Sequence, residues 1–77
     1  MKMSHDLYTA LEAAIVARLA KTPDAWKRYK CVGLTPMRFR WDLLHASGFK
    51  SATLYDAGLN DTHIDTALRR ICEPYMA

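Results

Sequence analysis

The side chains able to do chemistry in this chain are few, and their spacing limits what they can do. His5, His45, His63, Cys31 and Cys72 carry the donor atoms of a zinc site, but no two of the five stand at the close spacings such sites use. No metal and no other cofactor is expected. The two cysteines would make one lone bridge, not a disulfide framework, and both read as small buried hydrophobes with reduced thiols. His45 follows Asp42 by three residues, so one helix strip can carry a base beside an orienting carboxylate. No nucleophile accompanies them, and a structural hydrogen bond is the simpler reading. Asp56, Asp61 and Asp65 fit capping and solvated faces. There is no phosphate-cradling glycine loop, no nucleophile elbow and no HExxH, so an enzyme is not expected.

What remains is the chemistry of holding an anion. The formal charge of +3 is unevenly placed: residues 26–50 carry six cations against the single carboxylate Asp42, whereas residues 51–77 carry two cations against four carboxylates. Lys27, Arg28 and Lys30 interleave with Trp26 and Tyr29, a pattern that can hold phosphates and stack bases. Anchoring in the core is the stronger expectation for the two aromatics, because a small chain needs its large side chains for burial. Arg38 stands four residues before Asp42, a helical ion pair, while Arg40 has no obvious partner and is available to a phosphate or a carboxylate. Lys27, Arg28, Lys30, Arg38 and Arg40 are therefore the candidate basic surface. It suits phosphate backbone or an acidic protein, and a solvated surface that only keeps the chain soluble explains the same charges.

The elements that must position these residues centre on Ser51 to Cys72. Ser51 is a potential N-cap, Ala52 to Ala57 is competent for a short helix, and Gly58 can end it in the left-handed conformation. Asn60, Asp61 or Thr62 caps a second helix on which Ile64, Ala67, Leu68 and Ile71 share one side, with Pro74 as its limit. Two helices joined by so short a turn must cross sharply. This stretch resembles the helix-turn-helix of bacterial and phage DNA-binding proteins over about twenty residues, Ser51 to Arg70, with Gly58 as the turn glycine. Ala57, Leu59, Ile64 and Ala67 take the buried positions, and Leu54 stands where the family commonly has a small residue. The resemblance implies that Thr62, Thr66, Arg69 and Arg70 belong to a recognition helix: Arg69 toward guanine or phosphate, Thr66 toward a thymine methyl, Thr62 near a phosphate at the helix N-terminus. Asp65, on the same exposed side, would repel phosphate unless Arg69 neutralises it.

The rest of the chain supplies helices. Ser4 or Asp6 can cap one over about 5–21, with Leu7, Leu11 and Ile15 on a broad apolar face and Ala10, Ala13, Ala17 and Ala20 on another. Intramolecular packing is the expectation for the alanine side, with a homodimer through this helix as the alternative. Thr22-Pro23 reads as the start of a short helix over about 23–31. Thr35-Pro36 starts another that Gly48 ends, with Met37, Trp41 and Leu44 on one side and Phe39, Leu43 and Ala46 on the other. Residues 36–73 then form a three-helix unit. Seventy-seven residues, half of them apolar, with no low-complexity segment and no alternating period, imply one all-α domain of four or five helices, compact but with a thin core. The longest apolar run, Ala13 to Ala17, is too short to span a bilayer and no signal-peptide pattern precedes it, so a cytoplasmic protein without membrane contact is expected. The function expected is a small basic nucleic-acid-binding regulator that takes double-stranded DNA. The alternative is a non-enzymatic protein-binding module with an acidic partner, such as a phage or mobile-element inhibitor of a host nucleoprotein complex, of the anti-CRISPR type.

Overall fold

A computed structural model describes residues 3–77. Among them the chain forms five helices, α1 (His5–Lys21), α2 (Ala25–Cys31), α3 (Pro36–Ala46), α4 (Ser51–Asp56) and α5 (Asp61–Cys72), followed by a 3-10 turn at Glu73–Tyr75 and accompanied by no strand. Ser4, Thr35 and Asn60 each accept a backbone N–H with the side chain, from Leu7, Arg38 and His63, and so begin α1, α3 and α5. Two expected caps are not used. Pro23 and Asp24 fold as a turn after Thr22, whose hydroxyl returns to the Arg18 carbonyl, so α2 starts only at Ala25. Lys50, not Ser51, is the N-cap of α4, and it gives no side-chain bond.

Helices α2, α3 and α4 stop in the same way. In each, a left-handed glycine donates to the carbonyl three residues back, and the apolar residue after it donates to the carbonyl five back: Leu34 to Tyr29, Phe49 to Leu44 and Leu59 to Leu54. This is the Schellman arrangement, which satisfies the last carbonyls of a helix and turns the chain sharply. At Gly58 the backbone sits at φ 90°, a region a side chain with a Cβ enters only at a cost. The connection from α4 to α5 is four residues, Ala57 to Asn60.

The core is built mainly where α5 packs on α3 and α1. Leu11, Ile15 and Leu19 of α1 meet Phe39, Leu43 and Leu44 of α3 and Ile64, Leu68, Ile71 and Cys72 of α5, with Leu54 and Leu59 closing the end beneath the glycine turn. Helix α1 is thus a wall of the core. The spacing of its buried residues, one per turn, leaves Ala10, Ala13, Ala17 and Ala20 exposed, contrary to the expectation that they pack within the fold. Ala57 and Ala46 are likewise exposed, and Met37 points to solvent while Trp41 is half-buried. Cys31 is exposed, which corrects the reading of both cysteines as buried; Cys72 has no exposure, and burial pushes its thiol up to about 11. The radius of gyration is 12.1 Å. A single unit of this length should measure about 11.5 Å, so one core serves the whole chain.

Candidate functional site on α3 and α5

Helix α5 is amphipathic, and its buried side leaves little freedom for the other. With Ile64, Ala67, Leu68 and Ile71 held inward, Thr62, Thr66, Arg69 and Arg70 are all exposed. Thr62, Thr66 and Arg69 recur at four- and three-residue spacing and so form one ridge along the helix, with Arg70 to one side. The Thr66 hydroxyl donates to the Thr62 carbonyl at 2.8 Å, a local bond that threonine commonly makes within a helix.

The centre of this surface is Asp65, and its environment differs from the expected one. Arg40, expected to be free and solvent-facing, is only 7% exposed and reaches across from α3 to Asp65, with Nε at 3.3 Å and Nη2 at 3.1 Å from the same oxygen, Oδ1. The other oxygen, Oδ2, accepts from Nε of Arg69 at 2.9 Å. The correction has a geometric cause. Arg40 lies on the α3 surface that faces α5, between Phe39, Leu43 and Leu44, and a guanidinium there must meet a carboxylate or remain buried without one. Arg40 therefore leaves the list of residues able to hold a partner. Asp65 in turn is mostly buried, with 15% of its side chain exposed, and is neutralised by two arginines. Arg69 remains 65% exposed at its side chain and its two terminal nitrogens have no partner among the described residues.

The remaining cations form a separate region. Lys27, Arg28, Lys30 and Arg38 are all exposed on α2 and α3. Arg38 pairs with Asp42 as expected, Nε standing 3.1 Å from Oδ1. Asp42 also accepts from the Tyr29 hydroxyl at 2.6 Å, which raises the Tyr29 pKa above its usual value, first through that bond and then through burial and the Asp42 charge. Tyr29 and Trp26 both pack on Phe39, with ring centroids 5.0 and 5.2 Å away, so the aromatics of α2 are anchored on the core while remaining partly exposed. Lys30 lies over the Trp26 ring at 5.6 Å. Arg28 lines a shallow cleft of about 220 Å³ with Arg18, Tyr29 and Asp42. Arg40 and Arg69 line a different hollow, with Pro36 and Glu73. Arg18 was not foreseen; its Nη1 donates to the Ala46 carbonyl at 3.2 Å, at the end of α3, where a cation meets the negative end of the helix dipole.

His45 does not pair with Asp42. Its Nε2 is 2.8 Å from the Ser51 hydroxyl, joining α3 to the start of α4. Tyr55 of α4 donates to Asp61 in the first turn of α5, and the Tyr55 hydroxyl is shifted upward by that bond. Among the described residues no three His, Cys, Asp or Glu side chains converge as a metal would require, and no helix is long and apolar enough to cross a membrane. Comparison of the chain with protein-family models, with curated proteins and with solved structures gives no match.

Proposed function

We propose that the chain binds double-stranded DNA through the outward ridge of α5, as a small regulator whose α4, turn and α5 act as a helix-turn-helix. The observation that supports this most is the state of Asp65. A free carboxylate in the middle of a reading surface would repel phosphate, but here it is held by Arg40 on one oxygen and Arg69 on the other. The pair fixes the Arg69 side chain through Nε and leaves Nη1 and Nη2 for a phosphate or the acceptor pair of guanine. Thr62 and Thr66 extend the same ridge with small polar and methyl surfaces. The cations of α2 and α3 add a long-range attraction for a polyanion without touching the bases.

The test is a titration of the protein with mixed-sequence duplex at two salt concentrations. DNA binding requires affinity to fall steeply as salt rises, because phosphate contacts release counterions. Arg69→Ala should cost about 1–3 kcal/mol of affinity for a specific site if Arg69 reads a base. No binding at low salt, or an unchanged affinity in both Arg69→Ala and Thr66→Ala, would leave α5 as architecture and reject the reading.

A further inference from the structure

A second surface, at the corner where α2 turns into α3, has a composition that duplex binding does not use. Among the described residues five large apolar side chains stand exposed, and three of them, Val32 (70%), Leu34 (38%) and Met37 (55%), fall within six consecutive residues. Local geometry makes their exposure informative. Leu34 follows Gly33 in the same helix-ending arrangement in which Phe49 follows Gly48 and Leu59 follows Gly58. In that arrangement the apolar residue ordinarily packs back on its own helix. Phe49 and Leu59 pack against the core, Leu59 fully, whereas Leu34 stays at the surface beside the more exposed Val32. Met37 continues the surface into a hollow of about 310 Å³ lined also by Trp41, Ser51, Tyr55, Asp61 and Asp65, whose carboxylates are engaged by Tyr55 and by Arg40 and Arg69.

This corner is net positive. From Asp24 to Asp42 the chain carries five cations against two carboxylates, Asp24 and Asp42. Arg40 is turned inward and Arg38 is held by Asp42, which leaves Lys27, Arg28 and Lys30 exposed on α2, the helix that ends just before Val32. A polyanion of phosphates gains nothing from Val32, Leu34 and Met37, and the aromatics that could stack bases, Trp26 and Tyr29, are engaged with Phe39. An acidic polypeptide that also carries apolar side chains satisfies both halves of the surface, its anchors on the apolar residues and its carboxylates on the cations of α2.

We propose that the α2–α3 corner is a docking surface for an acidic, apolar-anchored segment of a partner protein, so that the chain can hold DNA on α5 and a protein on this corner. The probe is a short labelled peptide of glutamates with interspersed leucine and tryptophan. It is compared with the same peptide carrying lysine for glutamate, with a glutamate-only peptide, with single-stranded DNA and with phosphatidylserine vesicles. The acidic apolar peptide should bind more tightly than the other two peptides, and its amide-shift changes should be confined to residues 27–41 and Tyr55. The triple variant Val32→Ser, Leu34→Ser, Met37→Ser, whose side chains are exposed and whose circular dichroism should be unchanged, should weaken peptide binding roughly tenfold or more while leaving duplex affinity as it was. Arg69→Ala should do the reverse, so failure of one reading is distinguishable from failure of the other. The proposal is overturned if the lysine or glutamate-only peptide binds equally well, or if the triple variant binds the peptide like the parent chain. It is also overturned if the apolar residues prove to matter for vesicles or single-stranded DNA and not for the peptide.

Discussion

Arg40 and Arg69 hold the same carboxylate and should behave oppositely when removed. Arg40 and Asp65 are both largely buried, so Arg40→Ala leaves a carboxylate in the core wall without its buried partner and should destabilise the fold by about 3 kcal/mol in urea unfolding. Arg69 is mostly in solvent, and its truncation should change stability by no more than about 0.5 kcal/mol while weakening DNA binding. Equal stability losses at the two arginines would contradict the burial difference on which this rests. The cysteines give a second test at this scale. Cys31 is open to reagent and Cys72 is enclosed, so a thiol probe should label one site at once and the other only on unfolding. Cys72 also links stability to pH. Its folded pKa of about 11 lies above the ordinary thiol value of 9.0, so the unfolded chain loses its proton first as pH rises. The contribution is complete below pH 9, and about 2–3 kcal/mol is lost between pH 9 and 11. Tyr29, raised by its bond to Asp42, adds a loss of the same sign above pH 10. In Cys72→Ala the melting temperature should fall less over that alkaline window than in the parent chain.

At the scale of elements, α5 is the helix the others are built around, and α4 is the least supported. Ile64 has no exposure and lies between α5 and the rest of the core, so Ile64→Ala should cost about 2–5 kcal/mol and bring so small a domain close to unfolding. Helix α4 has six residues, one fully buried side chain and no side-chain cap. Its amides should exchange with solvent sooner than those of α1, α3 and α5, a difference that hydrogen-exchange spectra would read directly. Comparable protection in α4 and α5 would mean that the helix pair is a stiffer unit than its packing implies. Within this pair Asn60 supplies the α5 cap, and Asn60→Ala should cost about 1 kcal/mol.

For the whole molecule, the proposed DNA binding requires the ridge on α5 to reach into a groove of the duplex. The exposed alanines of α1 leave a smooth side on which two copies can approach closely, and a two-fold pair would let two α5 helices meet grooves about 34 Å apart. If the chain acts as such a dimer, equilibrium sedimentation at high micromolar concentration should return twice the monomer mass, and Ala13→Glu or Ala17→Glu should return it to the monomer. A monomer before any substitution would remove the dimer and leave α5 to bind a single groove.

Much of the helical framework was legible without coordinates, because caps and periodicity act over a few residues. Ser4 or Asp6, the Thr35-Pro36 pair, and Asn60, Asp61 or Thr62 mark three helix starts, of which the fold uses Ser4, Thr35 and Asn60 as caps, and the spacing of Ile64, Leu68 and Ile71 determines which side of α5 faces outward, hence the exposure of Thr62, Thr66, Arg69 and Arg70. Where α2 begins was misread because Thr22-Pro23 has the composition of a helix start and the chain uses it as a turn. The fates of Arg40, Asp65, Met37 and the alanines of α1 were decided only in the tertiary structure. Arg40 and Asp65 are 25 residues apart, and nothing local to either distinguishes a free arginine from one enclosed against another helix. The direction in which α3 meets α5 settles the matter: it buries the side carrying Phe39, Arg40, Leu43 and Leu44 and leaves Met37 in solvent. Local rules choose the helices and their inward sides. Which polar groups are trapped between two such sides, and must then pair, depends on how distant segments dock.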